Sequence, residues 1–169
     1  HGNGEIVSDY DYISEYYKNI NLNLIVSDYR GYGYSSGTPT ASTMVEDAPV
    51  VLNYTLEFLS KHNFSDRLFV LGRSLGSVSA LELADKYTHK IAGIVIESGF
   101  CSESPILELL GIDTDSIGFS DTDGFNNLAK ISTYNEPLLI IHAKNDEIVP
   151  YAQAKLMLEN SPSKSKKLL

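Results

Sequence analysis

Leu68-Phe69-Val70-Leu71-Gly72-Arg73-Ser74-Leu75-Gly76-Ser77-Val78-Ser79-Ala80-Leu81 is the stretch whose reading decides the fold. Four apolar residues, enough for a buried strand, run into Gly72-Arg73-Ser74-Leu75-Gly76. Apolar positions then recur at Leu75, Val78 and Leu81, which is helical spacing. A G-x-S-x-G set between a strand and a helix is a nucleophile elbow: the turn is so tight that its serine is forced outward in a strained backbone conformation. Glycine is expected on either side because a Cβ there would strike the neighbouring strand or helix. The first amide of the helix then points at whatever the hydroxyl attacks.

Chance alone places a G-x-S-x-G in roughly one chain in ten of this composition, so the pattern gains its weight from its setting. Working outward, the chain alternates apolar runs with helical periodicities. Val7, Tyr10, Ile13, Tyr17 and Ile20 mark an amphipathic helix, and Leu24-Ile25-Val26-Ser27-Asp28 reads as a buried strand. Tyr29 to Pro39 is a loop rich in glycine and serine. Thr43-Met44-Val45-Glu46 has the capping-box pattern that opens a helix with Val45, Leu52, Leu56 and Leu59 inward, and Pro49 should kink that helix or delay its start. After the elbow helix, ending near Tyr87, come a strand at Ile91–Ile96, a strand at Leu138–His142, a helix at Tyr151–Asn160 and a further strand opening at Lys167-Leu168-Leu169. Between Glu97 and Gly124 lies an excursion that holds seven carboxylates, Asp121 among them, and no Lys or Arg; it should be helical around Pro105–Leu110.

Strands read as continuous apolar runs between helices predict an α/β fold, a mostly parallel sheet with helices on both faces. In such sheets the chemistry gathers beyond the carboxyl ends of the strands. Ser74, Asp28 and Asp146 all fall just past predicted strand ends, on that one rim.

The 169 residues, 43% hydrophobic and 21% charged, suit one domain with a real core. A formal charge of −9 argues against nucleic acid or an anionic membrane surface as partner. Cys101 is the lone cysteine, so no internal disulfide forms, and a reducing, cytoplasmic setting is expected. The chain starts at His1-Gly2-Asn3-Gly4 and ends as an apolar run begins, the expectation being a fragment of a parent whose membrane association stays open.

A serine hydroxyl needs a histidine base, which a carboxylate in turn orients. Asp146, in the loop after the Leu138–His142 strand, is the best acid, with Glu147 as fallback. The base is the difficulty. His62 and His89 follow helices, on the side of the sheet away from Ser74, and His142 sits at the strand end, where packing or a local hydrogen bond is expected.

These motifs together resemble the α/β-hydrolase superfamily, in the compact serine-hydrolase branch that includes the BEM46-like and ABHD17-like proteins. His1-Gly2-Asn3-Gly4, Asp28-Tyr29-Arg30-Gly31-Tyr32-Gly33-Tyr34-Ser35, Gly72–Gly76 and Leu139 through Asp146 and Pro150 carry the resemblance, in family order. It implies Ser74 as nucleophile and Asp146 as triad acid, with Asn3 and Leu75 supplying the oxyanion-hole amides. His1 and Gly2 would shape the loop, and Asp28–Ser35 would be a structural turn beside the pocket. The resemblance further implies strands preceding His1, a last strand and helix beyond the chain, and a triad histidine shortly after Leu169. Residues 1–169 would then be one partial domain with a short cap-like excursion at about 97–136. The expected activity is cleavage of an ester, thioester or amide in a small-molecule or acylated substrate, through an acyl-enzyme and with neither cofactor nor metal. The rival expectations are a non-catalytic binding module and an inert fragment of an active hydrolase.

Overall fold

The computed structural model describes residues 1–64, 67–120 and 123–169, so Asp121 of the acidic excursion lies outside the described residues. Among these residues four parallel strands, β1 (Phe69–Arg73), β2 (Gly93–Glu97), β3 (Leu138–Ile141) and β4 (Lys166–Leu168), form one sheet in sequential order. Gly72 pairs with Ile96, Ile96 with Ile140 and Ile140 with Leu168, so the carboxyl ends of the first three strands finish level.

Among the described residues six α-helices accompany the sheet: α1 (Asp11–Asn19), α2 (Ala41–Lys61), α3 (Gly76–Tyr87), α4 (Ser104–Leu109), α5 (Asn127–Thr133) and α6 (Tyr151–Asn160). Right-handed crossovers that step in one direction across a sheet place their helices on one face. Accordingly α3 packs on β1 and β2, α6 on β3 and β4, and α5 between α3 and α6, while α2 lies against α3. Ile94, Ile96, Leu138 and Ile140 point into this layer and are at most 2% exposed. The opposite face, Phe69, Leu71, Val95, Leu139 and Ile141, is only half covered; Phe69 keeps 44% of its surface. On that face Tyr10, just before α1, and Tyr17 within it lie near Glu97, whose charge adds to burial in raising both phenol pKa values.

Two local expectations are corrected. Leu24–Asp28 is no strand: among the described residues nothing pairs with it, and Ile25 stays 49% exposed. An apolar run becomes a strand only when a neighbour takes its backbone groups. The capping box of α2 is formed by Thr40 and Thr43, not by Thr43 and Glu46, so the helix begins at Ala41 and runs through Pro49 without delay. Thr40 Oγ1 accepts from the Thr43 amide, and the Thr43 hydroxyl oxygen accepts from the Thr40 amide.

Candidate active site

At the end of β1 the chain turns into α3 through Ser74, whose φ of +49° is left-handed. An L-residue there costs about 1–2 kcal/mol, and the surroundings hold it in place. The Ser74 amide donates to the Glu97 carbonyl at 2.8 Å, extending the β1–β2 ladder by one bond, and the Ser77 amide donates to the Ser74 carbonyl at 2.9 Å. The side chain is half-buried rather than enclosed. Both elbow glycines are required by contact. A Cβ on Gly72 would stand 2.5 Å from the Gly76 carbonyl oxygen and 2.7 Å from the Ala80 Cβ. One on Gly76 would stand 2.9 Å from the His1 carbonyl oxygen, so the second glycine makes room for the His1–Gly4 loop rather than for a strand.

That loop is gripped from two sides. The Tyr29 hydroxyl donates to the His1 carbonyl at 2.7 Å, and the Tyr32 hydroxyl to Asn3 Oδ1 at 2.6 Å. Burial, aided by the neighbouring Tyr32, pushes the Tyr29 phenol well above its ordinary pKa, so it stays a donor. Glu5 holds the other side: its Oε2 accepts from the Gly2 amide at 2.6 Å and from the Tyr10 hydroxyl at 2.7 Å, while its Oε1 pairs with Arg73. Arg73 also reaches Glu97 at 3.4 Å. Glu5 and Arg73 therefore tie the loop to the residue just before Ser74, a link the sequence reading missed. Among the described residues neither the Asn3 nor the Leu75 amide has a protein acceptor, as an oxyanion-binding pair requires.

Asp146 lies in the loop after β3, on the same rim, with β2 between it and Ser74. Its Oδ1 accepts from the Ile148 amide at 3.0 Å and the Val149 amide at 2.9 Å. Burial draws its pKa upward, but those two amides, the Ser98 hydroxyl and His142 outweigh it and leave the carboxyl below its ordinary value. Ser98, also missed, follows β2 with a φ of +47° and donates its amide to the Ile141 carbonyl at 2.9 Å. It stands between the end of the nucleophile strand and the acid loop; nothing in Glu97-Ser98-Gly99 beyond small residues after a strand could have signalled it. Glu147 is exposed.

The histidines divide as expected. His62 ends α2 and His89 follows α3, both exposed at the amino-end rim of the sheet. The His142 ring is buried, with Nε2 2.7 Å from the Val149 carbonyl oxygen and 3.6 Å from Asp146 Oδ2, so it braces the acid loop. The His1 ring is fully enclosed, its Nδ1 2.9 Å from the Gly2 carbonyl and its Nε2 3.2 Å from Asp28 Oδ1. Enclosed, with Nδ1 engaged by the Gly2 carbonyl, His1 is part of the packing of the loop. Asp28 also accepts from the Val7 amide at 2.9 Å, anchoring the Asp28–Ser35 turn.

Beside Leu75 lies an open concavity of about 280 Å³, lined by Tyr29, Tyr32, Met44, Leu75 and Phe125 and bordered by the start of α2. A wider concavity of about 410 Å³ lies at the amino ends of the strands, between Phe69, Pro137 and Lys164–Lys167. It is on the rim opposite Ser74, out of reach of the elbow chemistry.

Residues 1–112 match the family model described as serine aminopeptidase, S33. The chain is similar to an uncharacterized membrane protein of Saccharomyces cerevisiae, at 29% identity over 92% of this chain and 55% of the relative. It is also similar to human alpha/beta hydrolase domain-containing protein 17C, at 28% identity over 85% of this chain and 41% of the relative. The chain thus spans about half the length of these curated relatives. Among solved structures, Paleococcus ferrophilus monoacylglycerol lipase superposes with a TM-score of 0.77 at 20% identity, covering 100% of this chain and 80% of the lipase. A soluble variant of the Saccharomyces cerevisiae monoglyceride lipase gives 0.75 at 17% identity, over 99% of this chain and 74% of that one. Among the described residues no helix is long and apolar enough to cross a membrane.

Proposed function

The chain belongs to the serine aminopeptidase S33 family within the α/β-hydrolases, and on that premise we propose that it acts as a serine hydrolase on an ester, thioester or amide through an acyl-enzyme on Ser74. The observation that carries the reading is Ser74 itself, a non-glycine residue held at φ +49° and half-exposed on the carboxyl rim of the sheet. Ser74 Oγ attacks the carbonyl carbon while its proton passes to a histidine. The Asn3 and Leu75 amides receive the developing oxyanion; in comparable enzymes loss of one such donor costs about 3–4 kcal/mol of transition-state stabilisation. The histidine returns the proton to the leaving group, the acyl group stays on Ser74, and water then releases it by the same steps in reverse. Asp146, already accepting two backbone amides, orients the histidine and balances its charge. None of His1, His62, His89 and His142 is placed for the task, so the reading requires a histidine from outside residues 1–169. One partial hydrolase domain in a reducing, cytoplasmic setting is the context we assign, with membrane attachment of the whole protein a matter for fractionation.

The test is labelling of the full-length protein with a fluorophosphonate probe. Ser74 should carry the label and Ser74→Ala should abolish it. Residues 1–169 alone should turn over no p-nitrophenyl ester; robust turnover by that segment would mean that one of its own histidines is the base. The unsuited positions of those four histidines favour one second reading, a hydrolase-fold binding module. An unlabelled full-length protein would decide for it.

A further inference from the structure

We infer that two copies of this protein pair through the outer face of α2, in an antiparallel helix–helix contact whose two-fold axis passes beside Tyr54. The inward face of this 21-residue helix is occupied: Ala48 and Leu52 belong to the main core, Leu56 packs against it, and Met44 joins a second buried cluster. The outward face is apolar as well. Val50, Val51, Tyr54 and Phe58 are all exposed, Tyr54 to 71%. Steps of three and four residues put side chains on one face of a helix, so these residues form one stripe about 12 Å long. The Phe58 ring leans on His62, with ring centroids 4.4 Å apart, which carries the stripe to the end of the helix. Single apolar residues on a surface are ordinary, but a contiguous run bounded by charge at both ends has the form of an interface.

The charges at the two ends choose the occupant. Glu46 and Asp47 stand before the stripe, and Lys61 and His62 after it. Tyr54 is the midpoint, with Asp47 seven residues before it and Lys61 seven after. A second α2 turned end over end about Tyr54 brings its Lys61 to Glu46 and Asp47 of the first, and its Phe58 to Val50 and Val51. Each contact is then made twice, as an isologous pair requires, and the two helix dipoles run opposite ways. A parallel pair would set Glu46 and Asp47 against the same carboxylates. Asp47 is already bidentate to Arg30 at 2.6 Å, which leaves Glu46 to receive most of the second copy's lysine. The face carries both its acidic and its basic end, so it is its own complement. One helix pair falls below the roughly 1,200 Å² of a standard interface, so the dimer is weak, with a Kd on the order of 10–100 µM.

Sedimentation velocity of the full-length protein from about 1 to 500 µM, spanning that Kd, should show a monomer passing to a dimer. Tyr54→Arg sets two guanidiniums face to face on the axis and should raise the Kd at least about tenfold, since like charges across an interface are costly. Lys61→Glu should also weaken the dimer, and adding Glu46→Lys should restore it, a rescue that general surface stickiness would not show. Tyr54→Cys reads the register. Under mild oxidation it should cross-link to its counterpart, because Cα atoms facing each other at the axis come within disulfide reach; Cys101 is buried and does not compete. Lys61→Cys should not cross-link, its two copies lying about 20 Å apart in the antiparallel pair. A monomer at every concentration, including one whose α2 is covered by another segment of the full-length chain, overturns the inference. So does a dimer indifferent to Tyr54→Arg, a charge swap without rescue, or cross-linking of Lys61→Cys in place of Tyr54→Cys.

Discussion

The strained backbone of Ser74 makes a prediction that separates geometry from chemistry. Ser74→Ala and Ser74→Gly both delete the hydroxyl, but only glycine adopts a φ of +49° without penalty. Alanine keeps the left-handed cost of about 1–2 kcal/mol. Glycine returns part of the gain, about 0.5–1 kcal/mol, because its unfolded chain is freer. The net expectation is that Ser74→Gly is more stable than Ser74→Ala by about 1 kcal/mol, or about 2–4 °C in Tm for a chain of this size. Differential scanning calorimetry of the two variants in one buffer, at one scan rate, makes the comparison. Alanine melting with or above glycine would refute the claim that the elbow holds its serine under strain, and with it the structural case for Ser74 as a displayed nucleophile.

Gly72→Ala places a Cβ against the Gly76 carbonyl and Ala80, neither of which can swing aside; a loss of about 1–3 kcal/mol is expected in denaturant titration. Glu5→Gln weakens the bond between the His1–Gly4 loop and Arg73. In the full-length enzyme kcat should fall on the order of tenfold to a hundredfold with KM little changed, and Arg73→Lys should keep more activity than Arg73→Gln. Asp146 has its pKa depressed in the folded state, so its contribution to stability is present above the unfolded carboxyl value and is lost as pH falls through the lower folded value. Asp146→Asn should therefore flatten the stability profile below about pH 4, measured by denaturation at each pH. His62→Gln and His89→Gln should leave activity and probe labelling unchanged, because both residues sit on the far rim.

The elbow was readable from residues 68–81 because strand, turn and helix there are set by neighbours in sequence. Four apolar residues, two glycines and a helical period leave little else for that stretch to form, and the register of Ser74 follows from them. The acid loop was readable for a similar reason: Asp146 caps the turn that closes a buried run, and its two amide partners, Ile148 and Val149, are two and three residues away. Leu24–Asp28 misled because its apolar pattern carries no information about whether a partner strand flanks it. The α2 box misled because Thr43 serves both as a possible first cap and as the third helical residue, and the difference lies in Thr40, whose backbone is extended. Ser98, Glu5 and Arg73 were invisible as site residues, each being an ordinary residue type in an ordinary local pattern.

By itself, then, the sequence determined the alternation that makes a parallel sheet, the corner at which Ser74 is displayed, and the rim to which Ser74 and Asp146 belong. These depend on hydrophobic period and on where glycine permits a turn, both short-range properties. Tertiary structure alone decided that Glu5 meets Arg73 across 67 intervening positions, that Ser98 stands beside Asp146, that the His1 ring lies against Asp28, and that a concavity with uncharged walls opens next to Leu75. Each of these is a meeting of segments distant in the chain, brought together because the strands end level and their loops have one rim to share.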